Sequence, residues 1–451
     1  MKYDFLSRLS LDKIPEPSAW QRTAAILAAL TLGGVLLCGS ETNPVALAKH
    51  RSEQAKGQIA ALRKQAEEHP KDAQRWVALA AECRNNTLLR EGLEAARQAL
   101  SLEPGLVPAL IEASRMEETP AAALVLAEKA VSLDPASAEA HTALASAARR
   151  DKQYDRAIRE ATAALKLQPK FYWAHQTLGV TYHAQQRTND VEREFRQAIR
   201  CAPERATPHV SLAKTLFFMG RFQESIRSFE EALRCRPEAA EVYLYLADAA
   251  QHAGALGVGI EACQTGAHVC GALGSNQVQI ALYHVSRGQL HHQAGQYREA
   301  AASFQEAVAC DAETVSYRAR LANSLEKAGR RKEAVKAAEA GLNLDPLDPA
   351  CHYARGMALV GLRNLNGAIE NWKVLAESGN PRAEALGQAI VKHGGELPPA
   401  DDRAMSLDWT PPQPEPSYFG TYDDGRPVSQ GQQIERYVRY LEDKARRARE
   451  E

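Results

Sequence analysis

Cys263, His268 and Cys270 come nearer than any other residues of the chain to the spacing of a metal site. Thiolate and imidazole ligands a few residues apart can hold zinc, but a structural zinc site needs a second half with further ligands. No such half follows, so the three read as helix packing. His291 and His292 are neighbours in sequence and therefore leave a helix in different directions, as a surface pair does. The glycine-containing run 254–274 has no strand before it, which removes the phosphate-loop reading. The sequence also lacks a nucleophile elbow and an HExxH pair. The chemistry to expect is that of binding, with no cofactor, no metal and no catalytic residue.

The elements that would present such a binding surface are announced by proline. Pro135, Pro169, Pro203 and Pro237 stand 34 residues apart, as do Pro70 and Pro104. Proline loses a helical hydrogen bond and clashes with the preceding turn, so each one marks a boundary. A comb of boundaries at one spacing means a repeated unit. Between them the apolar residues keep helical spacing in two runs, separated by turns such as Met219–Phe222 (MGRF) and Ala294–Tyr297 (AGQY). Each unit is a helix hairpin. Its eighth place holds a small residue (Gly179, Ala213, Ala247, Gly288, Gly356) and its twentieth an alanine (Ala157, Ala300, Ala334, Ala368). The twenty-fourth is large (Phe195, Phe229, Phe304, Trp372), filling the space the small ones leave.

These residues together resemble the tetratricopeptide repeat. The resemblance covers residues 73–378, with units beginning near Ala73, Val107, Ala138, Tyr172, Ala206, Ala240, Ala281, Val315 and Pro349. It implies an all-α fold, a right-handed superhelical solenoid of about nine helix hairpins. Two units are irregular. The second is short and restarts its second helix at Thr119-Pro120, a capping pair. The sixth loses register in AGALGVGIEACQTGAHVCGALGSN, where a kink or loosened packing is expected. A hairpin cannot bury its own apolar face, so the ends need caps. Residues 51–68 are expected to cap the front and residues 381–393 the back. Cys201, Cys235 and Cys310 share the thirtieth place with Leu102, Leu167 and Leu344, which makes them small apolar fillers.

The resemblance further implies groove contacts from the second, fifth, ninth and twelfth places. In this chain the expected contacts are Trp173, Gln176, His183, Lys214, Phe217, Asp248, Gln289, Arg320 (a sixth place) and Asn323. An aromatic and polar mixture suits an extended peptide. The lysine and asparagine pattern that holds the carboxylate tails of chaperones is missing. A net charge of −1 with 25% charged residues gives no support for nucleic acid.

The two ends differ from the repeats. Residues 23–40 (TAAILAALTLGGVLLCGS) carry no charge and form a short candidate membrane span after a polar lead, residues 1–22. A cleaved signal and lipid attachment at Cys38 are the other readings. The expected product is a single-pass membrane protein with its repeats on the outer side. Residues 394–429 read as a proline- and glycine-rich linker. Residues 430–451 read as an amphipathic helix whose stripe Ile434, Tyr437, Val438 and Leu441 folds back on the solenoid or binds a partner. The function expected is a tethered scaffold for a protein or peptide. An assembly chaperone for envelope or cytochrome complexes is the alternative, and an enzyme is not expected.

Overall fold

The structure, a computed structural model, describes residues 43–398. All regular structure among them is helical. The chain opens with α1 (Pro44–Glu68) and then folds into helix pairs. The first four are α2 (Ala73–Asn85) with α3 (Leu89–Leu102), α4 (Val107–Met116) with α5 (Pro120–Leu133), α6 (Ala138–Arg150) with α7 (Tyr154–Leu167), and α8 (Tyr172–Ala184) with α9 (Thr188–Cys201). Next come α10 (Ala206–Phe218) with α11 (Phe222–Cys235), α12 (Ala240–His252) with α13 (Leu256–Leu273), and α14 (Gln277–Gln293) with α15 (Tyr297–Cys310). The last pairs are α16 (Val315–Lys327) with α17 (Arg331–Leu342) and α18 (Pro349–Gly361) with α19 (Leu365–Glu377), on which α20 (Arg382–Lys392) packs. Every helix from α2 to α19 packs on its predecessor and its successor, the stacking of a right-handed superhelical solenoid.

First helices also touch the first helices of neighbouring hairpins: α2 meets α4, α4 meets α6, α6 meets α8, α12 meets α14, and α16 meets α18. Second helices pack mainly on the helices adjacent in sequence. The first helices therefore line the inner, tighter side of the curve. Their exposed places form the concave face.

Three local devices recur with the repeat. The first is the turn. The fifteenth place of eight hairpins has left-handed backbone, from φ 60° at Gln186 to φ 79° at Gly329. Glycine holds this place at Gly220, Gly254, Gly295 and Gly329, whereas Thr87, Lys152, Gln186 and Arg363 adopt it with a side chain, at about 1 kcal/mol each. The second device serves the prolines. A donor at the fourth place reaches back to the carbonyl of the proline six residues earlier: Trp76 Nε1 to Pro70 (3.2 Å), His141 Nε2 to Pro135 (3.0 Å), His209 Nε2 to Pro203 (3.0 Å), Tyr243 OH to Pro237 (3.2 Å) and His352 Nε2 to Pro346 (2.9 Å). A loop carbonyl thus finds a donor, and successive hairpins are pinned at their junction.

The third device is the fit of small against large. A Cβ added at Gly179 would lie 2.5–2.9 Å from ring carbons of Phe195, and one at Gly288 would lie 2.8–2.9 Å from Phe304. The eighth and twenty-fourth places therefore meet in van der Waals contact, as their sizes suggested. Gly288→Ala should overpack this contact and lower stability by about 2 kcal/mol in denaturant unfolding. Phe304→Leu in the same chain should return part of the loss, and additive losses would place the two residues apart.

Several expectations are corrected. The sixth hairpin is irregular as expected, but in length and not by interruption: α13 runs for 18 residues where the other second helices have 12 to 14. Its small residues make room for bulky neighbours: Gly259 faces Leu290 and Gly266 faces Tyr283 and Tyr243. It is also where α1 docks. That helix starts at Pro44, earlier than expected, and does more than cap the front. Ile59 packs in the core of the first hairpin with Leu79, Ala80 and Leu93. Ala48, fully buried, joins the core of the fifth and sixth hairpins, and Arg51 Nη1 donates to the Cys235 carbonyl at 2.6 Å. One helix thereby straps the front of the solenoid to its middle. In the second hairpin α5 begins at Pro120 as expected, but the Thr119 side chain makes no capping hydrogen bond. In the seventh, α14 begins at Gln277, a turn before Ala281.

The expectation of a single-pass membrane protein is also corrected, since no helix among the described residues is long and apolar enough to cross a membrane. The apolar run 23–40, with Cys38, lies outside the described residues. The C-terminal stripe Ile434, Tyr437, Val438 and Leu441 lies outside them as well.

Candidate functional site

The nine expected groove residues lie on the first helices α8, α10, α12, α14 and α16 and fall into three groups. The middle one is contiguous. Lys214 on α10 holds its ammonium 3.8 Å from the centre of the Tyr245 ring on α12, a cation–π contact in a partly desolvated position. Burial lowers the Lys214 pKa to about 8. One turn on, Phe217 packs edge-on to Phe222 and to His252, with ring centres 5.3 and 5.2 Å apart. Phe217 is 8% exposed and belongs to the hydrophobic core, so the expectation that it is a surface anchor needs correcting. The twelfth place faces inward here because Phe222 and His252 offer it an aromatic wall. His183 on α8 stays exposed and lies 6.3 Å from Phe218.

Asp248, on the same helix as Tyr245, is the electrostatic oddity of this region. Its side chain is 12% exposed, and Oδ1 lies 3.6 Å from His252 Nε2. Oδ2 is buried and has no hydrogen-bond partner among the described residues. Burial pushes the Asp248 pKa up to about 6, with His252 opposing the shift. Gln176 on α8 is similar: its Nε2 donates to Ser211 Oγ at 2.8 Å, while its buried Oε1 accepts nothing. Two acceptors on alternate first helices are therefore buried without a hydrogen bond from the described residues.

Trp173 does not join this group. From the start of α8 it reaches toward the first two hairpins, where the guanidinium carbons of Arg84 (α2) and Arg115 (α4) lie 5.8 and 5.5 Å from its ring centre. Both arginines bind Glu112, Arg84 Nε at 2.6 Å and Arg115 Nη1 at 3.0 Å. Gln289, Arg320 and Asn323 are half-buried on α14 and α16 in the third group. Near them His292, at a twelfth place, has a buried Nε2 without a partner, and burial lowers its pKa.

Sequence reading missed Arg84, Arg115, Tyr245 and His292. Arg84, Arg115 and His292 occupy the same ninth and twelfth places as the expected contacts and could have been found by applying the rule to every unit. Tyr245 sits at a sixth place and carries no such signal. The buried thiols are poorly suited to chemistry, since desolvation raises the Cys263 pKa to about 12 and also pushes up that of Cys351.

A tetratricopeptide-repeat family profile matches residues 210–268 and 319–372, within the fifth, sixth, eighth and ninth hairpins. A search of curated proteins gives no match. Among solved structures, a thermophilic tetratricopeptide protein of Thermus thermophilus is 18% identical over 40% of this chain and 100% of its own, with a TM-score of 0.37. MamA is 22% identical over 36% of this chain and 96% of its own, with a TM-score of 0.28. YrrB, described as having an unusual peptide-binding site, is 17% identical over 40% and 95% respectively, with a TM-score of 0.26.

Proposed function

We propose that this protein is a scaffold that holds an extended segment of a partner protein against the first helices of its hairpins. The observation that carries the reading is Asp248. A carboxylate buried with one oxygen unsatisfied costs the fold free energy, and its raised pKa records that cost. Such groups persist where a ligand completes them. An extended peptide offers what Asp248 Oδ2 and Gln176 Oε1 lack, a row of backbone N–H donors. Lys214 and the rings beside it then contact the side chains of that segment.

The test uses the conflict between stability and binding. The folded-state pKa of Asp248 is raised, so the folded chain holds its proton more tightly than the unfolded chain does. Stability is therefore lost as pH rises toward and through about 6, and the cost is in full force above it. Asp248→Asn should stabilise the protein at neutral pH by up to about 2 kcal/mol, with the gain disappearing as pH falls toward the ordinary carboxylate range. The same variant, and Gln176→Leu, should recover less of the partner in affinity purification with quantitative mass spectrometry. A more stable Asp248→Asn that binds as well as the wild type would remove the reading.

A further inference from the structure

We infer that Arg84, Arg115 and Trp173 form a subsite for an acidic side chain of the bound segment. The inference rests on the peptide-groove reading and names the chemistry of one part of it. The three residues come from the first, second and fourth hairpins, and the curvature of the solenoid alone brings them together. Glu112, 7% exposed, accepts from both guanidinium groups, Arg84 on Oε2 and Arg115 on Oε1. Two cations therefore share the one carboxylate hydrogen-bonded to either of them among the described residues. Each guanidinium has five N–H donors and directs one nitrogen at Glu112. The other nitrogens make no hydrogen bond to described groups.

Geometry prepares those remaining donors for an anion. The side chains of Arg84 and Arg115 are 18% and 16% exposed, so they are largely dry yet still reachable from the groove. The Trp173 ring stands within 6 Å of both guanidinium carbons and limits how either fork can turn. Tyr172 packs beside it, with ring centres 5.4 Å apart. Glu112 holds the forks from below and acts as a positioning residue. Planar forks with fixed direction bind a carboxylate through paired N–H donors. An internal glutamate or aspartate of an extended segment fits this description, since both forks already bind a carboxylate, that of Glu112, through single nitrogens.

The probe is a fluorescein-labelled peptide of about a dozen alternating glutamate and serine residues, blocked at both ends so that no terminal carboxylate is present. Its binding to the full chain is read by fluorescence anisotropy at low salt. Arg84→Gln should weaken binding about tenfold, the loss expected for a charge-assisted hydrogen bond, and Trp173→Leu should weaken it about fivefold by freeing both forks to turn away. Arg298→Gln, an equal loss of charge at an exposed position of the second helix α15, should leave it within about twofold. If Arg84→Gln fails to fold by circular dichroism, Trp173→Leu carries the comparison. No binding by the wild type, or equal binding by the variants, overturns the subsite. Stronger competition by a phosphoserine peptide than by the glutamate peptide overturns the carboxylate assignment. Either failure, beside an Asp248→Asn variant that behaves as expected, leaves the groove reading standing.

Discussion

Ala232→Glu is expected to cost the protein several kcal/mol and to unfold the fifth hairpin and its neighbours first. Ala232 is 1% exposed on α11 and lies in the core with Ile226, Phe229, Val242 and Tyr243. Its place in the repeat admits only a small side chain, so glutamate would bring both excess volume and a charge with no partner. An unpaired buried charge and an overpacked core each rank among the largest single-residue effects. Hydrogen exchange should show protection lost in α10 to α13 before the distant hairpins α16 to α19, since contacts in a solenoid are mainly between neighbours. Unchanged thermal melting would mean that the register of the repeat is misplaced.

Glu112→Ala should be nearly as damaging, by about 3 kcal/mol, for the opposite electrostatic reason. The substitution removes little volume from a polar corner. It leaves Arg84 and Arg115 close together, each largely desolvated, with no hydrogen-bonded counter-charge among the described residues. Burial already lowers the Arg115 pKa, with Glu112 opposing the shift. Glu112→Ala with Arg115→Met should recover much of the loss in denaturant unfolding, because the double variant no longer buries two like charges. A single variant as stable as the wild type would show that both arginines turn out to solvent at no cost.

What the sequence disclosed and what it withheld follow from range. Gly179 against Phe195 and Gly288 against Phe304 were legible because both members recur at fixed places, and size complementarity between fixed places is a local rule. The Pro135 and Pro203 boundaries were legible for the same reason, although the histidines that serve their carbonyls were not recognised. Phe217 was misread. Whether a twelfth-place ring points to the groove or to the core depends on the neighbouring helix, here on His252, which no rule internal to one unit contains. Trp173 was grouped with Lys214 and Phe217, whereas its neighbours are Arg84 and Arg115, which arrive through curvature accumulated over several hairpins. The unbroken, lengthened run of α13 has a related cause. Small residues in AGALGVGIEACQTGAHVCGALGSN suggest weak packing when read alone, whereas Tyr243, Tyr283 and Leu290 use them as receiving surface.

The strap formed by α1 alters the mechanics of the molecule. An unclosed stack of hairpins behaves as a spring, lengthening or twisting by small adjustments at every junction. The hydrogen bond from Arg51 to the Cys235 carbonyl joins points 184 residues apart, so the hairpins between them form a closed loop in which no junction can yield unless the others compensate. Stiffness should therefore be uneven along the superhelix, high from the first to the sixth hairpin and ordinary beyond it. A pulling force applied across the front portion would meet the resistance of one docked helix before it met any single junction, and the groove between Trp173 and Lys214 lies wholly within that stiffened arc.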